Sequence, residues 1–231
     1  MTVVHLHDDV TPWTESSVVF EGLDTEILKS IAALATRGRF STGEILFFQE
    51  DPGEALYMIE KGSVEISVMA ANGRKLSLNV MQPQEVFGEI AVLDGGPRTA
   101  TATVLEPSIL LRITRPALQE LMRERPEVAS GLLAMLCTRL RWTSQLAEDL
   151  GLLGIQERLA RRLMILHRKF SDNHGDLHLC QNELADFLGA TRESTNKVLR
   201  AWRQDGLVEM SRGSVRILDP GRLVSIASNV G

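Results

Sequence analysis

Cysteine is scarce: Cys137 and Cys180 are the only two in 231 residues. They are too few for a four-thiolate iron–sulfur cluster within one chain. Far apart in sequence, they fit a reducing compartment. No apolar run approaches the roughly 20 residues that a membrane span needs, so no membrane partner is expected. The start, MTVVHLHDDV, lacks a basic segment followed by an apolar one. No secretion signal is expected there, and the expected location is cytoplasmic. No P-loop and no Ser-His-Asp constellation occurs. His167, His174 and His178 lack metal-ligand spacing on one fixed element and are read as surface residues. Enzymatic chemistry and a metal site are therefore not expected. Trp13, Trp142 and Trp202 are read as packing residues.

Apolar residues make up 44% and charged residues 24%, the ordinary balance of a globular protein. The net charge of −5 hides an asymmetry. Residues 1–154 carry 13 Lys and Arg against 21 Asp and Glu, a net of −8. Residues 155–231 carry 12 against 9, a net of +3. An acidic sensor joined to a basic reading domain is the expectation.

Residues 1–20 are expected to be irregular and mobile. Residues 21–39 read as a helix, with Leu23, Ile27, Leu28, Ile31 and Leu34 at helical spacing. From Gly43 to about Ile113, short β-rich runs alternate with turn signals: EILFFQ, ALYMIE, SVEISVMA, KLSLNVM, TATATVLE and SILLRIT. Asn72-Gly73 predicts a type I′ hairpin, with positive φ at both central residues. Strands at this spacing point to a barrel or sandwich. Helical texture returns from about Arg115, with Pro116 and Pro126 at first-turn positions. Leu133, Leu136, Leu140, Thr143, Ala147 and Leu150 then recur at steps of 3, 4, 3, 4, 3. That is the seam of a helix pairing with its own copy, so a homodimer is expected. Gly151 and Gly154 are expected to interrupt this helix and form a hinge.

The division is thus an N-terminal segment (1–20), a ligand domain (21–125), a dimerisation helix with hinge (126–153), and a reading domain (154–231). The fold class is α+β.

Phe87–Val104, FGEIAVLDGGPRTATATV, concentrates the chemistry. Gly88 and Gly95-Gly96 let backbone N–H groups turn toward an anion. Arg98 offers a fork of donors for phosphate oxygens. Glu89 can accept from a sugar hydroxyl, and Thr99 adds a hydroxyl beside the phosphate or the base. A plain barrel turn with a Glu89–Arg98 ion pair is the competing reading.

Gln181–Arg200 reads as a helix-turn-helix. Leu184, Ala185 and Leu188 form the inner face of its first helix, Gly189 the turn, and Thr191 the N-cap of the second, loosely boxed by Ser194. Val198 and Leu199 return to the core. Arg192, Glu193, Thr195, Asn196 and Lys197 should face outward. Arg and Lys donate to guanine O6/N7, and Glu accepts from cytosine N4. The following DGLVEMSRGSVRILD reads as a β-hairpin wing, with Arg212 and Arg216 as phosphate contacts.

The cassette FGEIAVLDGGPRTATATV closely resembles the phosphate-binding cassette of cyclic-nucleotide-binding domains. TRESTNKVLR resembles the recognition helix of the cyclic AMP receptor/fumarate-nitrate regulator family, whose pattern is Arg-Glu-Thr-x-x-Arg. The resemblance spans about residues 20–220. It implies a β-barrel (jelly roll), a long dimerisation helix and a C-terminal winged helix-turn-helix. It also implies that Glu89 binds the ribose 2′-hydroxyl and Arg98 the cyclic phosphate. Gly88, Ile90, Ala91 and Thr99 complete the cassette. Thr143-Ser144 match the Thr-Ser pair that meets adenine in bacterial cyclic AMP receptors. The implied ligand is cAMP. Thr99 also resembles cyclic-GMP-selective domains, which keeps cGMP open. Arg192 reads guanine and Glu193 cytosine by the family's usage, implying TGTGA-like half-sites in double-stranded DNA. RNA polymerase is the implied further partner. Lys197 departs from the family's arginine.

Overall fold

A computed structural model describes residues 4–5, 25–172, 175–179, 181–211 and 213–228. The expectations for residues 1–20 as a whole, Trp13, Leu23, His174, Cys180 and Arg212 lie outside them.

In chain order the elements are β1 (Val4–His5), α1 (Thr25–Leu34), β2 (Thr36–Phe40), β3 (Ile45–Phe47), β4 (Ala55–Lys61), β5 (Val64–Met69), β6 (Lys75–Met81), β7 (Val86–Phe87), α2 (Glu89–Asp94), β8 (Thr101–Val104) and β9 (Ser108–Thr114). Then come α3 (Arg115–Glu124), α4 (Pro126–Leu152), α5 (Ile155–Phe170), β10 (Asp176–Leu177), α6 (Gln181–Leu188), α7 (Arg192–Gln204), β11 (Val208–Ser211), β12 (Ser214–Ile217) and α8 (Pro220–Ser228). The chain divides into two compact units. One comprises 1–68 and 78–141; the other comprises 69–77 and 142–231.

The first unit holds two antiparallel sheets, ordered β1-β2-β9-β4-β7 and β3-β8-β5-β6. Side chains alternate across a strand, and that alternation builds two cores. Ile59 and Leu110 point into a cluster with Val64, Met81, Phe87, Ala102 and Val104. Met58 and Leu111 point the other way, onto Ile31 of α1, Leu118 and Leu121 of α3, and Val128, Leu132 and Met135 of α4.

Two local expectations are corrected. The first helix ends at Leu34, because Thr36–Phe40 pairs along its length with β9. Five residues of ladder outweigh the weak local preference that extended the helix to 39. The turn at Asn72-Gly73 is also not type I′. Only Gly73 has positive φ (79°). The Gly73 N–H donates to Ala70 O, and the Ala70 N–H to Arg74 O. This is a three-residue loop with glycine in the left-handed position.

In the second unit α5 packs against α6, α7 and α8. Leu159, Leu163, Leu184, Leu188, Leu199, Trp202 and Leu223 are buried there. β10, β12 and β11 form a three-stranded antiparallel sheet, the wing plus one strand that the sequence did not suggest.

The helix α4 runs through Gly151 without a break. The expected interruption at Gly151 is therefore wrong, and the chain turns only between Leu152 and Ile155. A helical glycine costs about 1 kcal/mol relative to alanine. Leu133, Leu140 and Leu150 remain exposed along the seam spacing. Among the described residues no helix is long and apolar enough to cross a membrane.

Candidate functional site

Gly88 opens the cassette with φ 78°, at the N-cap of α2. A Cβ there would lie 2.7 Å from Arg98 Nη1. Glycine is thus required twice, for the left-handed backbone and for the close approach of the guanidinium. Gly95 ends α2 with φ 80°. The first N–H groups of α2 have no intrahelical partner, and no side chain caps them. Ala91 is buried and Ile90 is exposed. Behind them Gly53 presses on α2: a Cβ on it would stand 2.1 Å from Ala91 Cβ.

Arg98 is 4% exposed. Its Nη1 donates to Gly88 O at 2.7 Å, and its Nη2 to Ala55 O at 2.6 Å. The guanidinium lies 4.0 Å from the centroid of Phe47, within cation–π range. Phe47, Tyr57 and Phe87 form an aromatic cluster there, with Tyr57 and Phe87 stacked at 5.4 Å. Nε of Arg98 is buried without a hydrogen-bond partner among the described residues. Burial lowers the pKa of Arg98, offset in part by Tyr57 and Glu89. The backbone is pinned as well. The Arg98 N–H donates to Asp51 O, and the Glu50 N–H donates to Arg98 O.

Glu89 is 1% exposed, and both its carboxylate oxygens lack a hydrogen-bond donor among the described residues. Its counter-charge is Arg139 of α4, whose Nη1 approaches Oε1 as an ion pair without hydrogen-bond alignment. Arg139 also donates to Val86 O. The competing reading, a Glu89–Arg98 ion pair, is not what forms. Sequence reasoning missed Arg139. The available signal was a cation inside the apolar stretch LLAMLCTRLRW, one helical turn before Thr143.

Thr99 is exposed at the rim of the loop. Thr143 and Ser144 are exposed on α4, in the second unit. Thr138, one turn and a half earlier, donates back to Ala134 O.

In the helix-turn-helix, Leu184, Ala185 and Leu188 are buried and Gly189 has φ 60°. Thr191 caps α7 by accepting from the Ser194 N–H at 3.2 Å, and its hydroxyl meets Ser194 Oγ at 2.9 Å. Arg192, Glu193, Ser194 and Lys197 are exposed together on the first two turns, with Asn196 half-buried. Thr195 is a correction: it is 0% exposed, and its hydroxyl donates to Thr191 O. Its place on the inner face of α7 follows from helical spacing with Val198 and Leu199. Arg216, expected as a phosphate contact, is paired within the sheet. Nε and Nη2 grip both oxygens of Asp176 at 3.0 and 2.6 Å. Its pKa is raised by that hydrogen bond and charge.

A cyclic nucleotide-binding domain matches residues 37–125, and a Crp-like helix-turn-helix domain matches residues 157–226. The CRP-like cAMP-activated global transcriptional regulator of Mycobacterium tuberculosis is 32% identical, over 89% of this chain and 94% of that protein. The chain belongs to the cyclic AMP receptor/fumarate-nitrate regulator family. It is a family of transcription regulators, not of enzymes. The cyclic AMP receptor protein of Thermus thermophilus is also 32% identical, over 92% of this chain and 98% of that protein. The structure of the c-di-GMP-responsive regulator CLP of Xanthomonas campestris superposes with a TM-score of 0.78 at 25% identity. That match covers 85% of this chain and all of the other.

Proposed function

We propose that the chain is a homodimeric transcription regulator whose DNA binding is gated by a cyclic nucleotide, cAMP first and cGMP second. One observation carries this reading: a fully buried carboxylate, Glu89, met by the Arg139 ion pair but with neither oxygen in an aligned hydrogen bond among the described residues. A well-placed donor would complete its pairing. A ribose 2′-hydroxyl is a donor of the right kind. Arg98, buried with an idle Nε, supplies the charge for the cyclic phosphate. Gly88, Ile90 and Ala91 bring the unpaired N–H groups of α2 to the same anion. In this reading Thr99 touches the phosphate or the base, and Thr143 and Ser144 of the partner subunit meet the base. The cAMP named for the two relatives supports adenine. The responsiveness of the Xanthomonas regulator to c-di-GMP shows that the fold admits other ligands.

The exposed seam of Leu133, Leu140 and Leu150 supports self-association of α4. Arg192 would read guanine and Glu193 cytosine in TGTGA-like half-sites. Thr191 and Ser194 would hold the backbone, with Arg212 of the wing. Lys197 is a point donor without a fork and discriminates less at its base pair. The two recognition helices must stand about 34 Å apart to meet successive major grooves. Nucleotide would shift a two-state population. A switch from mostly off to mostly on needs a preference of roughly 5.5 kcal/mol for the active state. The regulator acts in the cytoplasm on RNA polymerase in this reading.

Calorimetry with cAMP, cGMP and c-di-GMP tests the ligand. Micromolar binding of cAMP, lost in a folded Arg98→Ala variant, is expected. Heat from c-di-GMP alone would move the chain to the other ligand class.

A further inference from the structure

The first unit holds a second concave site beside the cassette. A cavity of about 660 Å³ has Glu50, Glu54, Gly95, Pro97, Arg112 and Arg115 in its walls. All of them belong to the first unit. None of the residues assigned to the cyclic nucleotide lines it: neither Gly88 to Ala91, nor Arg98, nor Thr99. Its volume lies in the usual range of a small-molecule site.

The walls are fixed by main chain. Arg112 sits within β9, opposite Tyr57 of β4 on one side and Thr36 of β2 on the other. The Arg115 N–H donates to Glu54 O at 2.8 Å, and Pro52 forms a bridge with Pro97. Glu50 holds φ 72°, a conformation that costs a non-glycine residue about 1 kcal/mol or more. Its N–H donates to Arg98 O, which secures that turn. Gly95 leaves room for the Arg115 guanidinium, because a Cβ there would stand 2.5 Å from Nη2.

The cations of this cavity are the unusual feature. Arg37, Arg98 and Arg139 each hold an acceptor. Arg112 and Arg115 are half-buried, and neither side chain has a hydrogen bond or ion pair among the described residues. Glu50 and Glu54 are exposed and pair with neither. A guanidinium partly withdrawn from water favours an acceptor, and its fork of donors matches phosphoryl oxygens. A free carboxylate accepts from hydroxyls.

We propose that this cavity is a second ligand site, which takes the phosphoryl group of a small molecule on Arg112 and Arg115, apart from the cyclic-nucleotide cassette. The occupant is either an inorganic phosphate species or a sugar phosphate whose hydroxyls meet Glu50 and Glu54. The site does not depend on the gating reading.

The test is calorimetry with inorganic pyrophosphate and, separately, with ribose 5-phosphate, after the cassette's own phosphate contact has been silenced. One arm titrates the Arg98→Ala chain without nucleotide. The other titrates wild type saturated with cAMP. A probe should bind in both arms, and about tenfold or more weakly once Arg112→Gln and Arg115→Gln are added. The double variant should keep its cAMP affinity within about twofold of wild type, as expected for a separate site. Tighter binding of ribose 5-phosphate, weakened by Glu50→Gln with Glu54→Gln, would identify a sugar phosphate. Tighter binding of pyrophosphate, strengthened by the same pair, would identify an inorganic anion. No binding of either probe to the folded Arg98→Ala chain, or binding unchanged by the double substitution, overturns the site. Should the double variant fail to fold, Arg115→Gln alone should weaken the probe by about threefold or more, and no change there overturns the site equally. A wild type that does not bind cAMP would refute the ligand proposed for the cassette. The Arg98→Ala arm would still decide the cavity.

Discussion

The cassette and α7 both carry the charged side chains proposed to meet an anionic ligand, yet they hold them in opposite ways. Glu89 and Arg98 are buried, at 1% and 4% exposure. Arg192, Glu193 and Lys197 stand in solvent. Buried charge must be paired, and here Arg139 holds Glu89 and two carbonyls hold Arg98, so a ligand entering the cassette adds to or rearranges contacts already made. Solvated charge costs little, so in the proposed reading α7 would discriminate through geometry at the base edges. The cassette is accordingly suited to gating and the recognition helix to specificity. The contrast also separates how each should respond to mutation.

The largest effect belongs to the cassette. Arg98→Ala should lower cyclic nucleotide affinity by about 100-fold or more by calorimetry, since it removes a buried charge-assisted donor. Next is Arg139→Ala, which leaves Glu89 buried without its counter-charge. It should lower the stability of the nucleotide-free protein by about 2 kcal/mol in urea, and adding Glu89→Gln should restore part of the loss. A stability unchanged by Arg139→Ala would mean that the buried carboxylate is not under strain. Smaller still, Thr191→Ala removes the α7 cap and should cost about 1 kcal/mol. Glu193→Ala should sit at the bottom of the stability scale, within about 0.5 kcal/mol of wild type. Its effect should appear instead as relaxed base preference in competition assays, with non-specific binding hardly weakened. Loss of non-specific affinity in that variant would take Glu193 off the base edge.

Much of both regions was legible in the sequence, for different reasons. Gly88 and Gly189 advertise left-handed backbone, and Thr191 advertises a cap, because each need is met by few residue types. Short β-rich runs separated by turn signals announced the strands of the first unit. What was not legible came from distant partners. Arg139 reaches Glu89 across 50 positions of chain, and no spacing rule connects them. Thr36–Phe40 became a strand because β9 offered an edge, not because TRGRF resembles one. The interruption expected at Gly151 failed similarly. An isolated helical glycine lowers stability by about 1 kcal/mol without forcing a break, and here α4 continues to Leu152. Arg216 looked like a free phosphate contact until Asp176, 40 positions earlier, was seen to hold it.

The central claim is that filling the cassette changes how the recognition helices meet DNA. Its most direct test is the affinity for a TGTGA palindrome at fixed salt, measured without nucleotide and with saturating cAMP or cGMP. At least about tenfold tightening by one of them, abolished in Arg98→Ala, is the predicted result. Equal affinity in all three conditions, in a protein that calorimetry shows to be nucleotide-bound, would contradict it.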